Sequence, residues 1–211
     1  MLGNVSDCCD AALAHGSGPP IRLCRGLLLI CCVVLLCACS AEPEGPHVTR
    51  GEVLPNLILK GFDGQSIRLE RFHGRLLILN VWAPWCAPCV EEMPSLDRLS
   101  RQLDPQRFAV IGLTVDDDRF LAEEFLRNNQ ISFSNYMDEK RLIAETILGV
   151  RSFPQTFVIS PHGVLLARII GWQEWDSQEV LSTLEEYYQA SRLAPAATRR
   201  QTKRAMEGAA V

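Results

Sequence analysis

The sequence predicts an α/β domain, and two patterns carry that prediction. The runs Leu76–Trp82 and Phe108–Val115 are apolar nearly throughout, as in strands of a parallel sheet covered on both faces. Each is followed by a stretch of helical composition, Ala87 to about Leu103 and Asp116 to Arg127. Shorter strand-like runs with glycine-containing turns flank this centre on both sides.

The chain has 211 residues, enough for one domain of ordinary size plus termini, and carries a net charge of −4. No basic patch interleaved with aromatics occurs in the globular part, so nucleic acid is not an expected partner. Cys8, Cys9, Cys24, Cys31, Cys32, Cys37 and Cys39 lie before residue 40; only Cys86 and Cys89 belong to the domain. Arg22 and Arg25 precede the uncharged run Leu27–Ala38, 12 residues long. At about 1.5 Å per residue this falls short of a hydrocarbon core of roughly 30 Å, so an export-signal core fits better than a spanning helix. The run ends in Leu36-Cys37-Ala38-Cys39, which resembles a bacterial lipobox with Cys39 as the lipidated residue, although Cys37 is unusual at its position. A simple cleaved signal and an uncleaved anchor are the alternatives. The residues before Ile21 do not look like the start of a normal leader, and translation starting further downstream would explain them.

Residues 1–39 are thus read as the export segment, 40–51 as a solvated linker holding the domain off the lipid surface, and 52–190 as the domain. His47, in the linker, is read as a loop histidine. Leu57–Lys60 and Ser66–Leu69 read as a hairpin around Asp63-Gly64, with Arg71–Gly74 as the loop into the central strand and His73 on its surface.

The central apolar run delivers Trp85-Cys86-Ala87-Pro88-Cys89 to a helix N-terminus. Thiols three residues apart on a first helical turn can close a small disulfide ring, and the helix dipole with its free N–H groups favours a thiolate at Cys86. Cys86 is therefore the expected nucleophile and Cys89, a turn deeper, the resolving thiol. Pro88 removes a backbone donor that a first turn does not use. A Cys-x-x-Cys pair can also be half of a zinc site, but no cysteine follows Cys89 and His162 is the one later histidine, so no metal is expected. No cofactor is expected either. Pro94 should bend the helix, Leu96, Leu99 and Leu103 form its apolar face, and Glu91 and Glu92 are either a solvated face or an acidic modulator of the thiols.

Asp116-Asp117-Asp118 caps the next helix. A strand over Phe133–Asp138 and a helix over Lys140–Leu148 come next, then Gly149–Ile159 with Phe153-Pro154, the turn Ser160–Gly163, a last strand Val164–Gly171 and a closing helix from Asp176 to about Ala190. Trp172 and Trp175 are read as packing residues, and 191–211 as a disordered tail.

The stretch Asn80-Val-Trp-Ala-Pro-Trp-Cys-Ala-Pro-Cys-Val-Glu-Glu-Met-Pro94 resembles the active-site motif of the thioredoxin superfamily, most closely its extracytoplasmic TlpA/ResA branch, and the similarity runs from about Val53 to Tyr188. The resemblance implies a thioredoxin fold with an N-terminal β-hairpin extension and a TlpA-like central strand-helix insertion. It places a cis proline at Pro154, with Phe153 beside the substrate, and a glutamate at Glu92. Where cytoplasmic thioredoxins carry a buried aspartate this chain has Asn80, which cannot titrate, so proton transfer at Cys89 falls to water or another acid. Cytochrome c maturation members of the branch usually show Gly-x-Pro-Glu where this chain has Ser152, Phe153 and Gln155.

The function implied is a thiol-disulfide oxidoreductase of the bacterial cell envelope, on the periplasmic side and lipid-anchored, reducing disulfide-bearing extracytoplasmic proteins and re-reduced by a transmembrane thiol donor. Three alternatives use the same residues. A dithiol oxidase is disfavoured by Ala87-Pro88, which lacks the histidine of strong oxidases. A peroxidase of the peroxiredoxin type needs Thr or Ser where Ala83 stands. A copper-binding module would use the two sulfurs as ligands.

Overall fold

The computed structural model describes residues 47–193. The export segment with Cys39, the first part of the linker and most of the expected tail lie outside them. The sheet is built around β3 (Leu76–Trp82), every residue of which is buried. It pairs in parallel with β4 (Phe108–Thr114), equally buried, and antiparallel with β6 (Gln155–Ile159). With β1 (Ile58–Gly61), β2 (Ser66–Arg68), β5 (Ser134–Met137) and β7 (Leu165–Ile170) the order is β2-β1-β5-β4-β3-β6-β7. The unbroken apolar runs thus sit at the middle of the sheet, as their composition requires.

Among the described residues three α-helices complete the fold: α1 (Ala87–Gln102), α2 (Arg119–Asn128) and α3 (Gln178–Leu193). Met93, Leu96 and Leu99 bury one stripe of α1, while Leu103 is only partly covered. Asp118 caps α2 by accepting from the N–H groups of Phe120 and Leu121. Leu184 and Tyr188 bury α3, the Tyr188 ring lying 5.3 Å from Phe108. This helix starts later than expected and continues through Leu193.

The N-terminal hairpin forms as read, with Gly64 at φ +80° supplying its turn, and a 3₁₀ turn at Leu69–Phe72 leads towards β3. Part of the expected linker is held by the domain. Val48 N–H donates to Ile147 O at 3.1 Å, Gly51 N–H to Leu165 O at 2.8 Å, and the His47 ring covers Gly149 so closely that a Cβ there would stand 2.5 Å from it. His73 is half-buried against the Gly163 turn rather than on the surface.

The insertion departs most from its pattern. Its strand forms, but Lys140–Leu148 is not one α-helix. A 3₁₀ turn at Glu139–Arg141 leads into a π-helical turn at Leu142–Ile147, and Lys140 and Arg141 take left-handed φ values of 59° and 57°. The buried Asp138 carboxylate explains the break. It accepts from Ile143 N–H (2.9 Å) and Ala144 N–H (2.7 Å), and so starts the helical turn only after the chain has reversed.

Behind β4 lies a tight packing constraint. Trp82 Nε1 donates to Asn135 Oδ1 at 2.9 Å across Gly112, where a Cβ would sit 1.8 Å from that oxygen. Gly112→Ala must therefore break this partly buried hydrogen bond or displace β5, and is expected to cost about 2 kcal/mol of stability in urea unfolding. An unchanged unfolding midpoint would show that the contact is unimportant.

Candidate active site

The site forms where β3 ends and α1 begins. Pro84 and Trp85 turn the chain, Cys86 N–H returns to Ala83 O at 3.1 Å, and Cys86 becomes the extended N-cap residue of α1 (φ −89°, ψ 100°). Its Sγ accepts from Cys89 N–H at 3.3 Å, an N–H that has no partner within the helix. Cys86 and Cys89 are joined in a disulfide, their Cα atoms 5.2 Å apart. Cys86 retains 7 % exposure and Cys89 none, so an incoming sulfur meets Cys86 first. Pro88 lies in the first turn, where its missing N–H costs nothing. Ala87 occupies the first helical position and is exposed.

Antiparallel pairing sets Val81 opposite Gln155, so the Phe153–Pro154 peptide before β6 lies at the same end of the sheet as Cys86. That peptide is cis. Pro154 O accepts from Gly171 N–H at 2.9 Å, whereas among the described residues Phe153 N–H and C=O have no backbone partner. The Phe153 ring meets Trp85 edge-on, with centroids 5.6 Å apart, and Trp85 is 52 % exposed.

Beneath the dithiol lies a carboxyl group that composition alone left open between solvent and site. Glu91 is exposed, but Glu92, one turn after Cys89 on the same helical face, is completely buried. Its Oε1 accepts from Asn80 Nδ2 at 2.7 Å, and its Oε2 from Gln173 N–H at 3.2 Å and Trp175 Nε1 at 3.1 Å. Burial raises its pKa to about 7 even though these three donors favour the charged form. Asn80 also donates to Thr156 Oγ1 at 2.9 Å, and its Oδ1 is buried without a protein partner. Asn80 is therefore no isolated structural amide: it joins β3 and β6 to the carboxyl group.

Trp175, expected only to pack, is both buried and a donor to Glu92. Its place follows from the chain's return after β7 and has no local sequence signal. Trp172 is 43 % exposed, contrary to the packing role read for it. Among the described residues no group of His, Cys, Asp and Glu is arranged to hold a metal ion.

Residues 50–168 match the AhpC/TSA family. Thiol-disulfide oxidoreductase ResA of Bacillus thuringiensis subsp. konkukian is 28 % identical over 172 residues, covering 77 % of this chain and 95 % of its own. Among solved structures, a thiol-disulfide oxidoreductase of Bacteroides fragilis is 30 % identical with a TM-score of 0.56, covering 64 % of this chain and 98 % of its own. A DsbE-type thiol:disulfide interchange protein of Chlorobium tepidum, 24 % identical, has a TM-score of 0.58 over 68 % of this chain and 98 % of its own. With a thioredoxin fold, a disulfide at the start of α1 and these relatives, the chain belongs to the AhpC/TSA family and is a thiol-disulfide oxidoreductase similar to ResA.

Proposed function

We propose that the protein is a membrane-tethered reductase of disulfides in extracytoplasmic proteins. The observation that carries this reading is the Cys86–Cys89 disulfide at a helix N-terminus with the Glu92 carboxyl group buried one turn below. In the reduced protein the Cys86 thiolate, held by the α1 dipole and the Cys89 N–H, attacks one sulfur of a substrate disulfide. A Cys86–substrate disulfide forms and the second substrate sulfur leaves as thiolate. Cys89 must then lose its proton to attack Cys86 Sγ, restoring the internal disulfide and releasing the substrate as a dithiol. Glu92, on the same helical face and titrating near neutrality, receives that proton. Half a turn of the Asn80 amide would offer Oδ1 to the protonated acid, so the same side chain serves both charge states. The free Phe153 backbone groups suit pairing with an extended peptide, and the exposed Trp85 face suits its side chains.

An oxidising compartment does not regenerate a dithiol, so this direction requires a transmembrane thiol donor. Tethering rests on Cys39 as the lipidated residue, and mass spectrometry of the processed N-terminus tests it. Disulfides of apocytochrome c or of copper-site proteins suit such an enzyme, although Ser152, Phe153 and Gln155 depart from the cytochrome c maturation pattern. Ala83, buried three residues before Cys86, offers no hydroxyl for a peroxidase.

Two outcomes follow. With a disulfide substrate such as insulin, Cys89→Ser should accumulate a Cys86-linked mixed disulfide visible by non-reducing mass analysis, and Cys86→Ser should form none; a Cys89-linked adduct would reverse the assignment. The second concerns pH. Because folded Glu92 holds its proton up to about pH 7, against an ordinary glutamate value of 4.5, the unfolded chain loses that proton first as pH rises. The contribution is fully present below pH 4.5 and is lost by about pH 7, a fall of about 3 kcal/mol in stability. Glu92→Gln should abolish this decline in denaturant unfolding at pH 4.5 and 8, and should flatten the neutral limb of the rate of substrate release. Identical slopes in both proteins would remove the raised pKa from the account.

A further inference from the structure

This inference rests on the reductase reading and concerns which disulfides it favours. The dithiol end of the sheet is ringed by the loops that follow β3, β4 and β5 and by the one that precedes β6. On this rim the Arg141 guanidinium lies over Trp85, 5.4 Å from the ring centroid. Its backbone is fixed by local hydrogen bonds. Lys140 and Arg141 are consecutive left-handed residues, a conformation that long side chains rarely adopt. Lys140 N–H is bound by Asp117 Oδ1 at 3.0 Å, and Arg141 N–H by Asp138 O at 3.0 Å. Arg151, two residues before Phe153, is exposed and has no ion-pair partner among the described residues.

The carboxylates of the same loops are engaged in hydrogen bonds. Asp116 binds Asp118 N–H, Asp117 binds Lys140 N–H, Asp118 caps α2, and Asp138 caps the π-helical turn. Glu145 Oε1 lies 3.8 Å from Arg141 Nη1, beyond hydrogen-bond distance, so the guanidinium retains donors for a second carboxylate. The carboxylates on Glu139 and Arg119's partner Glu123 are likewise paired with cations. The rim therefore carries Arg141 over the Trp85 ring and an exposed Arg151 two residues before Phe153.

We propose that Arg141 and Arg151 make the protein selective for disulfides whose flanking residues are acidic. The substrate chain lies along the Phe153 backbone and across Trp85, and its Asp or Glu side chains meet the two guanidinium groups. The sulfur chemistry is unchanged: two electrons pass from the Cys86/Cys89 dithiol to the substrate disulfide, and the arginines act on encounter and orientation.

Single-turnover reduction by the pre-reduced protein tests this with three disulfide peptides of one sequence, differing only in Asp, Ser or Lys beside the cysteines. The Asp peptide should react about fivefold faster than the Lys peptide at low ionic strength, with the difference closing at high salt. Arg141→Glu with Arg151→Glu should invert the order, and Arg151→Glu alone should narrow it. Equal rates for the three peptides, or a preference that survives charge reversal, would overturn the selectivity. Reduction of no peptide at all would overturn the reductase reading itself, and the selectivity with it.

Discussion

A carboxyl group with no access to water is the constraint on which the rest of this site depends. Glu92 can be buried only because Asn80, Gln173 and Trp175 each bring a donor to it. Those donors come from β3 and from the segment after β7, so satisfying one carboxyl group fixes α1 against both. Thr156 extends the connection to β6, whose first residues follow the cis peptide. The elements that present the disulfide, the Phe153–Pro154 loop and the carboxyl group are thus held by a single hydrogen-bonded network.

The same network separates the roles of the two cysteines. Cys86 is stabilised from the helix terminus and retains an exposed edge, while Cys89 shares a buried face with Glu92. A thiol without solvent needs a local proton acceptor, and Asn80 cannot be one. In the proposed mechanism that acceptor is Glu92 of the helix rather than a residue of β3.

Much of this was legible in the residues themselves. The apolar runs of β3 and β4, the Asp63-Gly64 hairpin and the Cys-x-x-Cys helix start are written locally, because burial on both faces, positive φ and helix capping each demand particular residue types. The cis peptide at Pro154 and the strand-helix insertion were expected through family resemblance. Less accessible was anything decided by distant parts of the chain. Glu91 and Glu92 are identical in composition, and only the return of residues 173–175 determines which of them is buried. Lys140–Leu148 has a helical composition, yet Asp138 captures the first N–H groups of the turn and forces a reversal that no local propensity contains. Arg141 owes its position over Trp85 to that reversal.

The most direct test of the account is the equilibrium reduction potential of the Cys86/Cys89 couple, measured against a thiol-disulfide buffer. A value near that of thioredoxin, about −270 mV, is predicted for a dithiol that donates electrons to substrate disulfides. A value near about −120 mV, typical of a strong disulfide donor, would contradict the proposed direction and make the protein an oxidase.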